Sequence, residues 1–175
     1  MKHYILFISI SFALLFSCSS SNESTTYYLI RHAEKDRTDS TNRNPNLNLE
    51  GETRAQNWAF FFKDIPLDAV YTTHYNRTIQ TATPTAKSKN IELKYYSPNR
   101  MFDSIFQVNT KGKKILIVGH SNTTPMFANK IINTYNKAIS DNKNYNAMDD
   151  NDNSSLFIVK IDGESITTAV EKINR

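Results

Sequence analysis

The residues best suited to chemistry in this chain are histidines with arginines close by. Beyond the N-terminal stretch the 175 residues contain His32, His74 and His120, with Arg31 preceding the first and Arg77 following the second. An imidazole with an ordinary pKa near 6.5 has a large neutral fraction around pH 7, so it serves as a nucleophile or a proton carrier. Guanidinium groups present a rigid fork of donors that matches phosphate oxygens, which a lysine ammonium cannot match. The combination points to chemistry on a phosphoryl anion. The same imidazoles, with Glu34, are also ligand types that zinc uses. Arg31 and Arg77 oppose that second reading, because they would repel a cation.

These groups need elements to carry them. Tyr27 to Ile30 is a β-type run that ends at Arg31-His32, and Ala69 to Thr73 is a second strand, followed by His74 and Arg77. Ile115-Leu116-Ile117-Val118 is unbroken by polar residues and reads as a strand buried on both faces, ending at Gly119-His120. A further strand is predicted over Ile91 to Tyr96, and a terminal hairpin over Leu156 to Ile161 and Ile166 to Ile173 around Asp162-Gly163. Helices are expected between the strands. Ala55, Trp58, Ala59 and Phe62 share one face after Gly51, and Pro66 closes that element. Ile79, Ala82 and Ala86 share a face after Arg77, with Pro84 expected to kink or shorten the helix. A short helix over Met101 to Val108 and one opening at Pro125, with Phe127, Ile131 and Tyr135 inward, complete the set. Asp36 to Asn48 and Asn136 to Asn153 read as polar loops. Strands alternating with helices make an α/β class: a three-layer α/β/α sandwich, its sheet mostly parallel with an antiparallel edge. In such sheets ligands bind beyond the carboxyl ends of the strands, where three strand ends bring these basic groups to one rim.

Four segments, in order, resemble one family. Arg31-His32-Ala33-Glu34 looks like the Arg-His-Gly-Glu signature of the histidine phosphatase, or phosphoglycerate mutase-like, superfamily. Leu47-Asn48-Leu49-Glu50-Gly51 with Arg54-Ala55 resembles the entry to its first helix. Val70-Tyr71-Thr72-Thr73 with Arg77-Thr78-Ile79-Gln80-Thr81-Ala82 resembles its second strand and the helix after it. Ile117-Val118-Gly119-His120-Ser121 resembles its second-histidine strand. The match runs from Tyr27 to about Pro125, with Ala33 where relatives commonly carry Gly.

The resemblance implies a metal-independent phosphatase without a cofactor. Its nucleophile is His32, which forms a phosphohistidine that water hydrolyses. Phosphoryl transfer spreads negative charge over three equatorial oxygens, so catalysis is largely positioning and electrostatics. Arg31 and Arg77 are expected to grip those oxygens bidentately, with His120 and the Ser121 N–H as further donors. The two arginines should also disfavour imidazolium until phosphate arrives. For the proton donor the acids between Arg77 and the second histidine strand are Glu92 and Asp103. Asp103 fits the family spacing better and is the expected general acid–base, with helix capping as its competing role. His74 is expected to line the mouth of the pocket. The expected partner is a small phosphorylated substrate, with specificity set by Asp36 to Asn48 and Ser97 to Lys111.

The N-terminus has a different purpose. Met1-Lys2-His3 and an apolar run from Tyr4 to Phe16 make a signal-peptide pattern, too short to span a bilayer comfortably. Leu15-Phe16-Ser17-Cys18 resembles the bacterial lipobox, and Cys18 is the only cysteine, so no internal disulfide exists. The expected organisation is a lipoprotein signal over 1–17, a Ser-rich tether over 18–26 and the catalytic domain over 27–175. A lipid on Cys18 would anchor the protein in the bacterial cell envelope, on a periplasmic or outer-membrane face. Loss of residues 1–17 removes one lysine from 21 basic and 17 acidic side chains, leaving a slight positive excess without a Lys/Arg run. That charge pattern carries no nucleic-acid footprint. A phospho-ligand binder without catalysis is the competing function, because a fold does not dictate an activity.

Overall fold

The computed structural model describes residues 24–135 and 144–174. The expected signal peptide and Cys18 lie outside the described residues. So does part of the second polar loop.

Among the described residues six strands form one sheet: β1 (Thr25–Arg31), β2 (Ala69–Thr72), β3 (Leu93–Tyr95), β4 (Lys114–Gly119), β5 (Ser155–Asp162) and β6 (Ser165–Lys172), in the order β3-β2-β4-β1-β5-β6. The pairs β3–β2, β2–β4 and β4–β1 are parallel; β1–β5 and β5–β6 are antiparallel. The sheet is therefore mostly parallel with an antiparallel edge, as the element pattern predicts. Four α-helices among the described residues accompany it: α1 (Leu49–Phe61), α2 (Asn76–Ser88), α3 (Ser104–Thr110) and α4 (Thr123–Tyr135).

Period-two alternation in the buried strands builds both layers. Ile115 and Ile117 of β4 join Tyr27, Leu29, Phe106, Phe127 and Ile131 in a core against α3 and α4. Leu116 and Val118 point the other way, into a core with Ile30, Trp58, Phe62, Ala82 and Ala86 against α1 and α2. Helices on both faces make the three-layer sandwich.

Several boundaries differ from expectation, each for a local reason. β1 starts at Thr25, so Thr25 and Thr26 belong to the sheet rather than to the tether; both are buried and pair with Ile161 and Lys160. α1 starts before Gly51, because the Asn48 side chain accepts the Gly51 N–H at 2.8 Å and caps the helix. α2 runs through Pro84 to Ser88. Burial of Thr81, Ala82, Thr85 and Ala86 holds the helix on both sides of the proline and outweighs the missing N–H. α3 begins three residues later than expected, after a 3₁₀ turn at Pro98–Arg100 and a capping Asp103.

Candidate active site

β1 and β4 lie side by side and in register, with Arg31 opposite Gly119. Their carboxyl ends therefore deliver His32 and His120 to the same place, with ring centroids 5.5 Å apart. Two cavities open there. One, of ≈ 380 Å³, is lined by Arg31, His32, Lys35, Tyr75, Arg77, Pro98, His120, Ser121 and Asp150, among others. The other, of ≈ 630 Å³, shares Arg31, His32, Lys35 and Asp150 and adds Glu34, Asp36, Arg37 and Asn153.

His32 is 4 % exposed. Its Nδ1 lies 2.7 Å from the Ala33 carbonyl oxygen. A carbonyl only accepts, so Nδ1 carries the proton and Nε2 keeps its lone pair. Burial pushes the imidazole down to about 3, with the charges of Arg31 and Arg77 adding to the burial and the Ala33 carbonyl acting against it. Burial first, then Arg77 and Arg31, pushes His120 down to about 4. Both rings are neutral at pH 7. The arginines disfavour imidazolium as anticipated, but desolvation is the larger cause.

His120 is held from two sides. Its Nδ1 faces Arg77 Nη2 at 3.4 Å and its Nε2 faces Thr73 Oγ1 at 3.1 Å. The guanidinium only donates, so Nδ1 accepts and the proton sits on Nε2, directed at Thr73. In this arrangement its N–H serves Thr73 rather than a ligand. The turn into α4 is tight. The His120 N–H donates to Thr123 Oγ1 at 3.0 Å. A Cβ at Gly119 would come within 2.9 Å of both Tyr96 Oη and Thr124 Oγ1. Ser121 lines the smaller cavity, while its carbonyl accepts the Met148 N–H.

The two arginines are held differently. Arg31 gives Nη1 to the carbonyls of Asp149 and Asp150, both at 2.8 Å, and Nη2 to Asp150 Oδ1 at 2.8 Å. Its Nε is buried without a partner. Arg77 lies over the Tyr75 ring and keeps both Nε and Nη1 buried and unpartnered. Buried donors cost free energy unless something accepts from them, so an anion is the natural complement.

The neighbouring motif residues brace the chain around His32. The Ala33 N–H donates to Thr81 Oγ1 at 2.9 Å, and Thr81 donates to the Arg77 carbonyl at 2.7 Å, which ties β1 to α2. The Ala33 methyl packs with Leu47 and Ala55. Glu34 is taken up by Arg54, with Nε at 2.7 Å and Nη2 at 2.7 Å. A Cβ at Gly51 would approach the Glu34 carbonyl oxygen to 2.1 Å, so only glycine lets α1 come this close.

Two expected site residues lie elsewhere. Asp103 accepts the Phe106 N–H at 2.9 Å as the cap of α3 and lines neither cavity; capping is the role it performs here. His74 is exposed, stacks on Tyr95 with ring centroids 4.1 Å apart, and lines neither cavity. Among the described residues no group of three or more His, Cys, Asp or Glu side chains is arranged to hold a metal ion. Sequence reasoning missed Lys35, Asp150 and Asn153. The last two lie in a run of Asn and Asp whose only signal was its polarity. Of the loops expected to set specificity, Asp36, Arg37 and Thr38 from the first and Pro98 from the second do line the cavities.

Comparison with known proteins finds one family model and shared folds. The family model for the histidine phosphatase superfamily (branch 1) matches residues 27–97, which include His32 and both arginines. The fold is shared with the protein histidine phosphatase SixA complexed with tungstate (TM-score 0.63, 11% identity, 84% of this chain and 96% of that one). It is shared also with mycobacterial glucosyl-3-phosphoglycerate phosphatase complexed with VO3 (TM-score 0.61, 11% identity, 86% and 99%). A third such structure is the phosphoglycerate mutase of Bacillus anthracis (TM-score 0.58, 15% identity, 87% and 94%). No curated protein matches the chain.

Proposed function

We propose, from the match of the histidine phosphatase superfamily (branch 1) model to residues 27–97 and the geometry of the site, that the chain is a metal-independent phosphomonoester hydrolase of that type working through a phosphohistidine on His32. One observation carries this reading: a neutral imidazole with a free Nε2 shares a cavity with guanidinium N–H groups that are buried and unpartnered. The Nε2 lone pair attacks phosphorus in line. The P–O bond breaks, and its electron pair leaves with the ester oxygen. Water then attacks phosphorus, the P–N bond breaks, and the pair returns to Nε2. Arg31 Nε with Arg77 Nε and Nη1 neutralises the oxygens as charge builds.

The carboxylates at the cavities already have partners: Asp36 accepts from the Thr38 N–H and hydroxyl, and Glu50 lies 3.7 Å from Arg54. Glu34 pairs with Arg54, and Asp150, pushed down to about 2 by its hydrogen bonds to Arg37 and Arg31, has no proton to give. The departing oxygen therefore takes its proton from water, which favours small substrates whose leaving group is a stable anion. We further propose export and a lipid anchor on Cys18. Leu15 to Cys18 supports it, and no described helix is long and apolar enough to cross a membrane. A Cys18→Ser chain that still fractionates with membranes would sink the anchor.

The test of the activity is turnover of p-nitrophenyl phosphate by the full chain in excess EDTA, beside His32→Ala. Turnover that survives EDTA and falls by at least about 10³-fold in the variant is the expected result. EDTA-sensitive turnover that persists without His32 overturns the mechanism. Phosphate binding without turnover leaves the same cavity as a phospho-ligand receptor.

A further inference from the structure

Arg31 is the most heavily restrained cation in the site, and one short segment does the restraining. Residues 149–153 supply two backbone carbonyls and a carboxylate to its terminal nitrogens, all at 2.8 Å, with the Asp152 carbonyl at 3.4 Å. The same segment holds the nucleophile's own backbone, since Asn153 Nδ2 donates to the His32 carbonyl at 2.8 Å. Just upstream, the Met148 N–H donates to the Ser121 carbonyl at 2.8 Å, next to the second histidine. One stretch of chain thus fastens both histidine strand ends.

Asp150 is the only side chain of the segment bonded to Arg31. Its Oδ1 takes Arg31 Nη2, and its Oδ2 takes Arg37 Nη1 at 2.7 Å. Arg37 acts as a strut on the solvent side, which keeps the carboxylate from swinging away. With its terminal nitrogens engaged in this way, the Arg31 guanidinium cannot rotate about its long side chain. What it leaves unpartnered is Nε. A guanidinium turned end-on would instead spend its fork on whatever lay nearest.

We propose that Asp150 is a positioning residue for phosphoryl transfer: it clamps Arg31 so that the Nε edge, rather than the terminal fork, meets the phosphoryl group. The inference rests on the hydrolase reading of the same cavity. It assigns the Asn/Asp-rich segment a part in catalysis without contact with the reacting atoms. It also explains why a carboxylate stands in a site built for an anion. Asp150 is already neutralised on two sides by Arg31 and Arg37, so its charge is spent before the substrate arrives.

The experiment compares the full chain with Asp150→Ala, Asp150→Asn and Asp150→Glu. It measures kcat and KM on p-nitrophenyl phosphate, inhibition by orthovanadate, and thermal unfolding. Asp150 is well exposed, so the variants should fold. The expected result for Asp150→Ala is a kcat lower by on the order of 10–100-fold, with KM nearly unchanged and vanadate affinity falling in parallel. Asp150→Asn keeps an acceptor for Nη2 and should fall in between, and Asp150→Glu should recover most of the rate. An unchanged kcat and vanadate affinity in Asp150→Ala would overturn the proposal while leaving the hydrolase reading intact. Tighter vanadate binding would overturn it too, showing Asp150 to be a repellent. If the wild type turned over no ester, the hydrolase reading would fail on its own. Calorimetric binding of vanadate would then decide the clamp: weaker in Asp150→Ala upholds it, equal binding refutes it.

Discussion

The two arginines of the site are held in opposite ways. Arg31, at the end of β1, is 3 % exposed and bonded through both terminal nitrogens to a segment more than a hundred residues away in sequence. Arg77, in the first turn of α2, is only half-buried, lies over Tyr75, and makes one long contact with His120. Burial lowers its pKa, with Arg31 adding to the effect and Tyr75 acting against it. The first is part of the framework, with one edge left for ligand. The second, with fewer partners, is the one that the proposed function has gripping a phosphoryl group. The same side chain thus divides into a fixed wall and an adjustable grip, according to how many acceptors the fold supplies.

That contrast is most sharply tested by removing each group in turn. Arg77→Ala should cost about 10²–10³-fold in turnover with an unchanged thermal midpoint. Arg31→Ala should cost at least as much turnover and also about 1–3 kcal/mol of stability, because it strands buried carbonyls and frees residues 149–152. Unfolding curves beside steady-state rates decide this. Equal stability of the two variants would break the comparison.

The shared field of the arginines is open to titration. NMR of the histidine rings should show His32 and His120 neutral from pH 8 down to about 5, titrating near 3 and 4. Burial keeps both below their unfolded value near 6.5, so the unfolded chain binds more protons between these values. Their contribution to stability is therefore complete above about pH 6.5 and is lost as the pH falls through 4 to 3. Titration of either ring near 6.5 in the free protein would mean that the site is wetter than its geometry.

The smallest expected effect concerns the other aspartate. Asp103→Ala should lower stability by about 1 kcal/mol as a lost helix cap, with turnover within about twofold of wild type. A large loss of turnover would restore Asp103 as the proton donor.

Much of this was legible in residue order. The strands around Ile115–Val118 and Tyr27–Ile30 are apolar runs with one stable arrangement, and the placement of Arg31-His32 and Gly119-His120 at their carboxyl ends follows from them. Gly51 and Thr81 could be noted only as parts of a motif. Their reasons, a helix pressed on the Glu34 carbonyl and a bridge from Ala33 to Arg77, are contacts between distant segments. Asp103 shows the limit from the other side. Its spacing fits a catalytic acid and a helix cap equally well, and only the position of α3 separates the two.

By itself, then, the sequence determined the class of sheet, the pair of histidines and the cationic character of the rim, because these depend on local pattern and residue type. Tertiary structure alone decided which nitrogen of His32 is free, which nitrogen of Arg31 is left unpartnered, and that an Asn/Asp-rich loop holds its terminal nitrogens. Those outcomes turn on hydrogen-bond partners brought together from residues 31, 77, 120 and 150, and no local pattern encodes a partner so far along the chain.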